Sequence, residues 1–205
     1  MPVRIGVLGF QGDIEEHVAA SKEALKKIRV NGSVSVVKTP EELKEIDALI
    51  VPGGESTVIG GLSLFNKSLS VIKDKIKAGM PVMGTCAGLI LLANRTYDRV
   101  VGEKKQPLLG VLDVLVERNS FGRQRESFEV ELDAPAVSKQ KVKGVFIRAP
   151  SVKEVAQGVE VLSKLDGEVV AVKQNNIIGT CFHPELSGDT RFHEYFIKMV
   201  RKRAN

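Results

Sequence analysis

The sequence holds two cysteines and three histidines, so a search for nucleophilic chemistry is short. Cys86 lies in Gly84-Thr85-Cys86-Ala87-Gly88, between the apolar "PVM" and the helix-like "AGLILLA". If Met83 ends a strand and Ala87 opens a helix, the thiol stands on a tight turn whose small neighbours let it project above a sheet, as in a nucleophile elbow. The opening helix adds a dipole that favours negative charge at its start and free N–H groups for an oxyanion. A small buried hydrophobe is the competing use of a cysteine, and spacing alone leaves both readings open for Cys86.

A nucleophilic thiol needs a base, and the base needs a group to orient it. His183 follows the apolar run "NIIGTCF", at the carboxyl end of a predicted strand. Glu185, in "HPE", can accept the N–H of the second imidazole nitrogen and fix the tautomer. These residues allow a triad of Cys86, His183 and Glu185. His17 and His193 fall in amphipathic helical segments and read as surface or boundary residues. Cys181 shares a strand face with His183 but has no elbow, and reads as inert packing. The turn "PGGEST", residues 52–57, also closes a predicted strand. It can aim backbone N–H groups at a developing charge, although a plain glycine turn before a helix explains it as well. It lacks the Gly-Lys-Ser/Thr of a phosphate loop, and Gly6, Gly9 and Gly12 miss the dinucleotide fingerprint.

The elements that must position these residues follow from periodicity. "VRIGVLGF", "DALIVPGG" and "PVMGT" are apolar runs suited to strands buried on both faces, and "SVSVVK" alternates as a strand does. Between them, "DIEEHVAASKEALKKI" has helical spacing at Ile14, Val18, Leu25 and Ile28, with Asp13 as cap and Glu16 three residues on. "TPEEL" places Thr39 as cap, Pro40 at the first helical position and Glu42 to complete a capping box. "FNKSLSVIKDKIKAG" reads as an amphipathic helix stopped by Gly79, and "AGLILLANR" as a helix after the fourth strand. Strand and helix alternate, which implies right-handed crossovers, a largely parallel sheet and functional groups at the strands' carboxyl ends. From about residue 108 the chain turns strand-rich, as expected of antiparallel strands added at the sheet edge, and "SGDTRFHEYFIKMVRKR" closes it as a helix.

With 205 residues and 43% hydrophobic residues, the chain is sized for one α/β domain over residues 1–205. The net charge of +5 is spread among interleaved lysines and glutamates, apart from the basic tail "KMVRKRAN". That tail reads as a solvated helix end, and no nucleic-acid partner is expected. No apolar run reaches the ~18 residues of a membrane span, and the start lacks the pattern of a signal peptide. A cytoplasmic protein with no membrane association is expected. Two widely separated cysteines give neither a disulfide framework nor a four-ligand zinc site. No metal or organic cofactor is called for, because thiol, imidazole and backbone donors suffice for acyl chemistry.

Taken together, "GTCAGLILLA", "HPE", "LIVPGGEST", "GVLGFQGD", "ERNSFGRQ" and "FIRAP" resemble class I (triad) glutamine amidotransferases. Among these, the chain is most similar to the family of glutaminase subunits of pyridoxal 5'-phosphate synthase. "GTCAG" and "HPE" mark the wider class, whereas "PGGEST", "RNSFGRQ" and "IRAP" are specific to this subunit family. The first loop departs from the commoner "ALQGA" type. The resemblance implies a three-layer, flavodoxin-like fold with a mostly parallel central sheet and added antiparallel strands. It implies Cys86, His183 and Glu185 as catalytic residues and Gly54 and Ala87 as oxyanion donors. It implies an L-glutamine site of Gly54, Glu55, Ser56, Arg118, Ile147 and Arg148. It further implies a barrel-shaped synthase subunit as partner in a hetero-oligomeric complex, with "PGGES" as a switch on docking and "GFQGD" as part of the docking surface. The alternatives are a glutaminase feeding another synthase, such as that of imidazole glycerol phosphate, a cysteine hydrolase or deglycase of similar fold, and a noncatalytic regulatory subunit. "RNSFGRQ" and "IRAP" argue against the first, and the complete triad argues against the last.

Overall fold

A computed structural model describes residues 2–98, 102, 106–120 and 127–204. The second half of "ERNSFGRQ" and the middle of the link "RTYDRVVGEKKQPLLG" lie outside the described residues. Strand β1 (Val3–Leu8) runs between β2 (Gly32–Val37) and β3 (Ala48–Val51), parallel to both. β3 pairs in parallel with β4 (Val82–Thr85), and β4 with β12 (Ile177–Thr180). Every residue of β3, β4 and β12 is buried, as the unbroken apolar runs require. The register Val51↔Gly84 and Thr85↔Thr180 brings the carboxyl ends of these three strands to nearly one level.

Helix α1 (Ile14–Lys27) leads from β1 to β2, whereas α2 (Pro40–Lys44), α3 (Ser56–Phe65) and α4 (Ser68–Lys77) lead back across to β3 and β4. Right-handed crossovers taken in opposite directions put α1 on one face of the sheet and α2 to α4 on the other. Accordingly α1 packs on α6 (Arg191–Ala204), and α3 packs on α4 and on α5 (Ala87–Leu92). The direction reverses between β1 and β3, which opens a crevice at their carboxyl ends, the usual place for a ligand in such sheets.

Beyond β12 the sheet continues through β11 (Glu168–Gln174), β9 (Ser151–Val155), β6 (Leu112–Arg118) and β5 (Ala93–Asp98), with β10 (Glu160–Leu165) paired to β11. The pairs of β11 with β12, β9 and β10, and of β9 with β6, are antiparallel. The expected antiparallel addition is therefore present, with three differences. "NIIGT" is a parallel strand at the centre of the sheet, against the nucleophile's own strand. β7 (Ser127–Leu132) and β8 (Val142–Ile147) form a separate two-stranded sheet. β9 forms although its segment carries no clear alternation, through its pairing with β6 and β11.

Two helices also differ from their reading. Lys67 adopts a left-handed φ of 67°, and the Asn66 side chain accepts the Ser68 N–H at 3.0 Å. These close α3 and open α4 where one helix from Phe65 was expected. After Leu92 the chain turns extended at Ala93 (φ −61°, ψ 151°), because Arg95 to Asp98 pair in parallel with Leu115 to Arg118 of β6. Pairing with a neighbouring strand here overrides a locally helical pattern. The capping box of Thr39 and Glu42 forms as expected. Among the described residues, no helix is long and apolar enough to cross a membrane.

Candidate active site

The elbow is built by close approach of backbones. A Cβ on Gly88 would lie 2.1 Å from the Val51 carbonyl oxygen, and one on Gly84 would lie 2.6 Å from the Gly88 carbonyl carbon. Only glycine lets β3, β4 and the first turn of α5 touch in this way. Between these contacts Cys86 takes φ 48° and ψ −102°, a conformation that costs an L-residue about 1–3 kcal/mol unless its surroundings impose it. They do: the Cys86 N–H donates to the Thr180 carbonyl at 2.8 Å, and the Cys86 carbonyl accepts from the Ile90 N–H at 3.2 Å.

His183 follows β12 by three residues and is buried. Its N–H donates to the Val145 carbonyl at 2.7 Å, which ties β8 to the site. Its Nδ1 lies 2.9 Å from Glu185 Oε1 and 3.0 Å from Asp13 Oδ2, and the Cys86 thiol also favours the charged ring. A hydrogen on Nδ1 faces two carboxylates, which leaves Nε2 to exchange a proton with the thiol. Burial works against the imidazolium of His183, but Asp13, Cys86 and Glu185 outweigh it and push its pKa up to about 12. Glu185 is also buried, which disfavours its charge, yet His17 and His183 hold its carboxyl well below the usual carboxylate range.

Three expectations are corrected here. Asp13 does not cap α1 with its side chain. Its carboxylate is drawn instead to His183, an ion-pairing partner stronger than a backbone N–H. His17 and His193 are fully buried rather than at the surface, with His17 Nδ1 3.1 Å from His193 Nε2. The reason is the orientation of α1, whose buried positions are His17, Ser21, Ala24 and Leu25. His17 and Ser21 fall three and seven positions after Ile14, inside the stripe that Ile14, Val18 and Leu25 mark, and are buried with it. Cys181, by contrast, is packed as expected: it is fully buried, and burial pushes its thiol pKa well up.

The glycine turn lies against the base. A Cβ on Gly53 would lie 2.3 Å from His183 Cε1, and Gly54 has φ 145°, which glycine alone adopts readily. Gln11 Oε1 accepts the Glu55 N–H at 2.7 Å, so the first loop holds the turn. Arg118 Nη2 reaches Glu55 Oε1 at 3.0 Å and Nη1 reaches Gln106 Oε1 at 2.9 Å, while the Ser56 hydroxyl donates to the same Gln106 oxygen at 3.3 Å. Glu55, Ser56 and Arg118 are thus brought together, with Gln106 as a member that no sequence signal marked. Ile147 ends β8 two residues beyond the Val145 tie, and Arg148 follows with φ 43°; both are exposed. Gly54 and Ala87 occupy the turn and the first position of α5, where helix N–H groups have no intrahelical acceptor. Among the described residues, one set of side chains has donor atoms close enough to share a metal ion, namely Asp13, His183 and Glu185, within 4.8 Å of one another. In this set the carboxylates already converge on a single imidazole N–H.

The profile of the SNO glutamine amidotransferase family matches residues 7–202. Pyridoxal 5'-phosphate synthase subunit PdxT of Nitrosopumilus maritimus is 50% identical over 202 residues, covering 98% of either chain. The protein of that name from Staphylothermus marinus is 46% identical over 205 residues, covering 98% of this chain and all of its own. A crystal structure of a glutamine amidotransferase superposes with a TM-score of 0.84 at 43% identity, covering 96% of this chain and 98% of that one. A glutamine amidotransferase from Thermotoga maritima, 16% identical, shares the fold with a TM-score of 0.62 over the whole of this chain and 86% of that one. The chain belongs to the SNO glutamine amidotransferase family.

Proposed function

We propose that this chain is the glutaminase subunit of a pyridoxal 5'-phosphate synthase, folded as one domain, and that it hydrolyses L-glutamine and hands the ammonia to a barrel-shaped synthase subunit. The observation that carries the chemistry is the buried His183 imidazole, held through Nδ1 by Glu185 at 2.9 Å and raised in basicity by the Cys86 thiol among its neighbours. The Cys86 thiol gives its proton to His183 and its sulfur attacks the side-chain amide carbon of glutamine, while backbone N–H groups of Gly54 and Ala87 receive the oxyanion, at about 3 kcal/mol per donor. The carbon–nitrogen bond then breaks, ammonia leaves with a proton from His183, and a glutamyl thioester remains on Cys86. His183 next takes a proton from water, whose oxygen attacks the thioester carbonyl. The carbon–sulfur bond breaks, glutamate leaves, and His183 returns its proton to the sulfur, which restores the thiol.

Arg118 and Arg148, with Glu55, Ser56 and Ile147, form the glutamine site in this reading. A planar guanidinium suits the substrate α-carboxylate, which would displace Glu55 from Arg118. The partner follows from the name of the relatives, synthase subunit PdxT. Two features support docking beside the turn. Gln11, exposed on the first loop, holds the Glu55 N–H, so pressure on that loop reaches the oxyanion turn directly. Helix α3 starts at the same turn and exposes Val58, Leu62 and Phe65 along one face, with Phe65 87% exposed. The cytoplasm is taken as the compartment, where two unpaired cysteines stay reduced.

The test is ammonia release from glutamine by the purified protein, alone and with the synthase subunit of the same organism. Stimulation by the partner, abolished in Cys86→Ala, is the expected result. Hydrolysis indifferent to the partner would move the chain to another synthase, and no hydrolysis in either condition would remove glutamine as the substrate. Replacement of Gln11 that left both association and stimulation unchanged would overturn the docking route.

A further inference from the structure

Behind the triad lies a buried polar group that the reaction as derived does not use. His17, on α1, is completely enclosed, and each ring nitrogen faces a partner. Its Nε2 is 3.3 Å from Glu185 Oε1 and 3.0 Å from Thr85 Oγ1, and its Nδ1 is 3.1 Å from His193 Nε2, on α6. Thr85 is the residue before Cys86, and Glu185 is the carboxylate on the base. One imidazole therefore touches both the strand end that presents the nucleophile and the group that orients His183.

We infer that His17, backed by His193, is a positioning residue that fixes the Glu185 carboxylate on His183 and ties it to the strand end carrying Cys86. The inference rests on the triad reading above. An ionised carboxylate only accepts, so His17 carries a hydrogen on Nε2, which bonds Thr85 Oγ1 at 3.0 Å and lies 3.3 Å from Glu185 Oε1. His193 Nε2 lies 3.1 Å from His17 Nδ1, close enough for one hydrogen to bridge the two rings. His193 Nδ1 is buried with no partner among the described residues. With the bridging hydrogen on His193 Nε2, that Nδ1 is a lone pair, a lesser cost than a buried N–H left without an acceptor. Burial holds the pKa of His193 down to about 3, in keeping with a neutral ring.

Glu185 depends on this contact. Its Oε2 has no hydrogen-bond partner among the described residues, so its orientation is set through Oε1, by His183 and His17. The groups facing His17 are Glu185 beyond β12, Thr85 on β4 and His193 on α6, with Asp189 acting on His193 by charge. Without His17, Glu185 keeps a single donor, and Asp13 competes for the same His183 hydrogen on more equal terms.

The experiment is steady-state glutamine hydrolysis by the complex with the synthase subunit, comparing His17→Leu, His17→Gln and His193→Gln with the unaltered chain across pH. His17→Leu is expected to lower kcat about 100-fold, the low end of what a positioned general base contributes, with KM changed less than about twofold because it touches none of the glutamine-site residues. Its acid limb should move to higher pH, since a carboxylate that loses a donor protonates more readily. His17→Gln keeps a side-chain N–H and should recover most of kcat. His193→Gln should lower kcat about two- to fivefold with the same direction of pH shift, and it carries the test if His17→Leu does not fold. A folded His17→Leu with unaltered kcat and pH profile would overturn the inference, as would His17→Gln no better than His17→Leu, or an effect confined to KM. If the unaltered complex releases no ammonia, the triad reading fails and takes this inference with it. An active complex with unaltered variants overturns this inference alone.

Discussion

The two halves of the site are made from different materials. The nucleophile half, where β3, β4 and α5 meet, is set by backbone contacts: glycines at positions 84 and 88 let three main chains touch and force Cys86 to a left-handed φ of 48°. The base half, where β12, α1 and α6 meet, is set by buried side chains, with His183, Glu185, His17, His193 and Asp13 joined by hydrogen bonds and ion pairs. A half held by backbone admits almost no substitution but loses little when charges change. A half held by side chains depends on pH and tolerates graded change.

Replacement of the nucleophile gives the largest expected effect. Cys86→Ala should reduce ammonia release by at least about 10⁴-fold, because the remaining members of a triad act only as a unit. The matched change Cys181→Ala should leave turnover intact and cost on the order of 1 kcal/mol of stability, as a small cavity in the core. Equal losses from both would erase the distinction between the two thiols. In the base half, Glu185→Gln should lower kcat about 10²- to 10³-fold, since an amide can hold the imidazole in the wrong tautomer. Steady-state kinetics with the complex would measure it. Gly88→Ala examines the backbone half. A methyl against the Val51 carbonyl should cost about 3 kcal/mol, read as a lower denaturant midpoint, and a neutral result would show that the elbow has room to relax.

Smaller effects sharpen the contrast. Asp13→Asn removes one of the two carboxylates on His183 and should change kcat only about two- to fivefold if Glu185 alone suffices to orient the ring. A loss as large as that of Glu185→Gln would make Asp13 an equal partner. The smallest effect is on stability against pH. His193 is depressed from 6.5 to about 3 in the folded chain, so the unfolded chain binds more protons in that interval and stability falls as pH drops below about 6.5. His183, raised to about 12 from 6.5, is protonated in both states below that point. Glu185, lowered from 4.5, stays ionised in both states until pH approaches that value. Of these three groups, His193 therefore governs the interval between, and thermal unfolding of His193→Gln should show a shallower loss there than the unaltered chain.

The same contrast explains what could be read from the sequence. Gly84, Cys86 and Gly88 announce a turn because only glycine permits such contacts, and spacing alone records them. β3, β4 and the helix cap at Thr39 were legible for similar local reasons. His183 and Glu185 were found because they follow a buried strand directly. His17 and His193 were misread because an amphipathic helix carries its polar residues to solvent by default, and here the buried stripe of α1 contains a histidine and a serine. Asp13 stood where a helix cap belongs, and that local explanation concealed its bond to a residue 170 positions away. Gln106 and β9 have no local pattern and acquire their places only from tertiary pairing.

The most direct test of the central claim is labelling by a glutamine analogue that bears a chloroketone in place of the side-chain amide, followed by peptide mass mapping of the complex. The account predicts one label per chain, on Cys86, prevented by glutamine and greatly slowed in Glu185→Gln. Labelling of Cys181, or labelling of Cys86 that glutamine does not prevent, would contradict it.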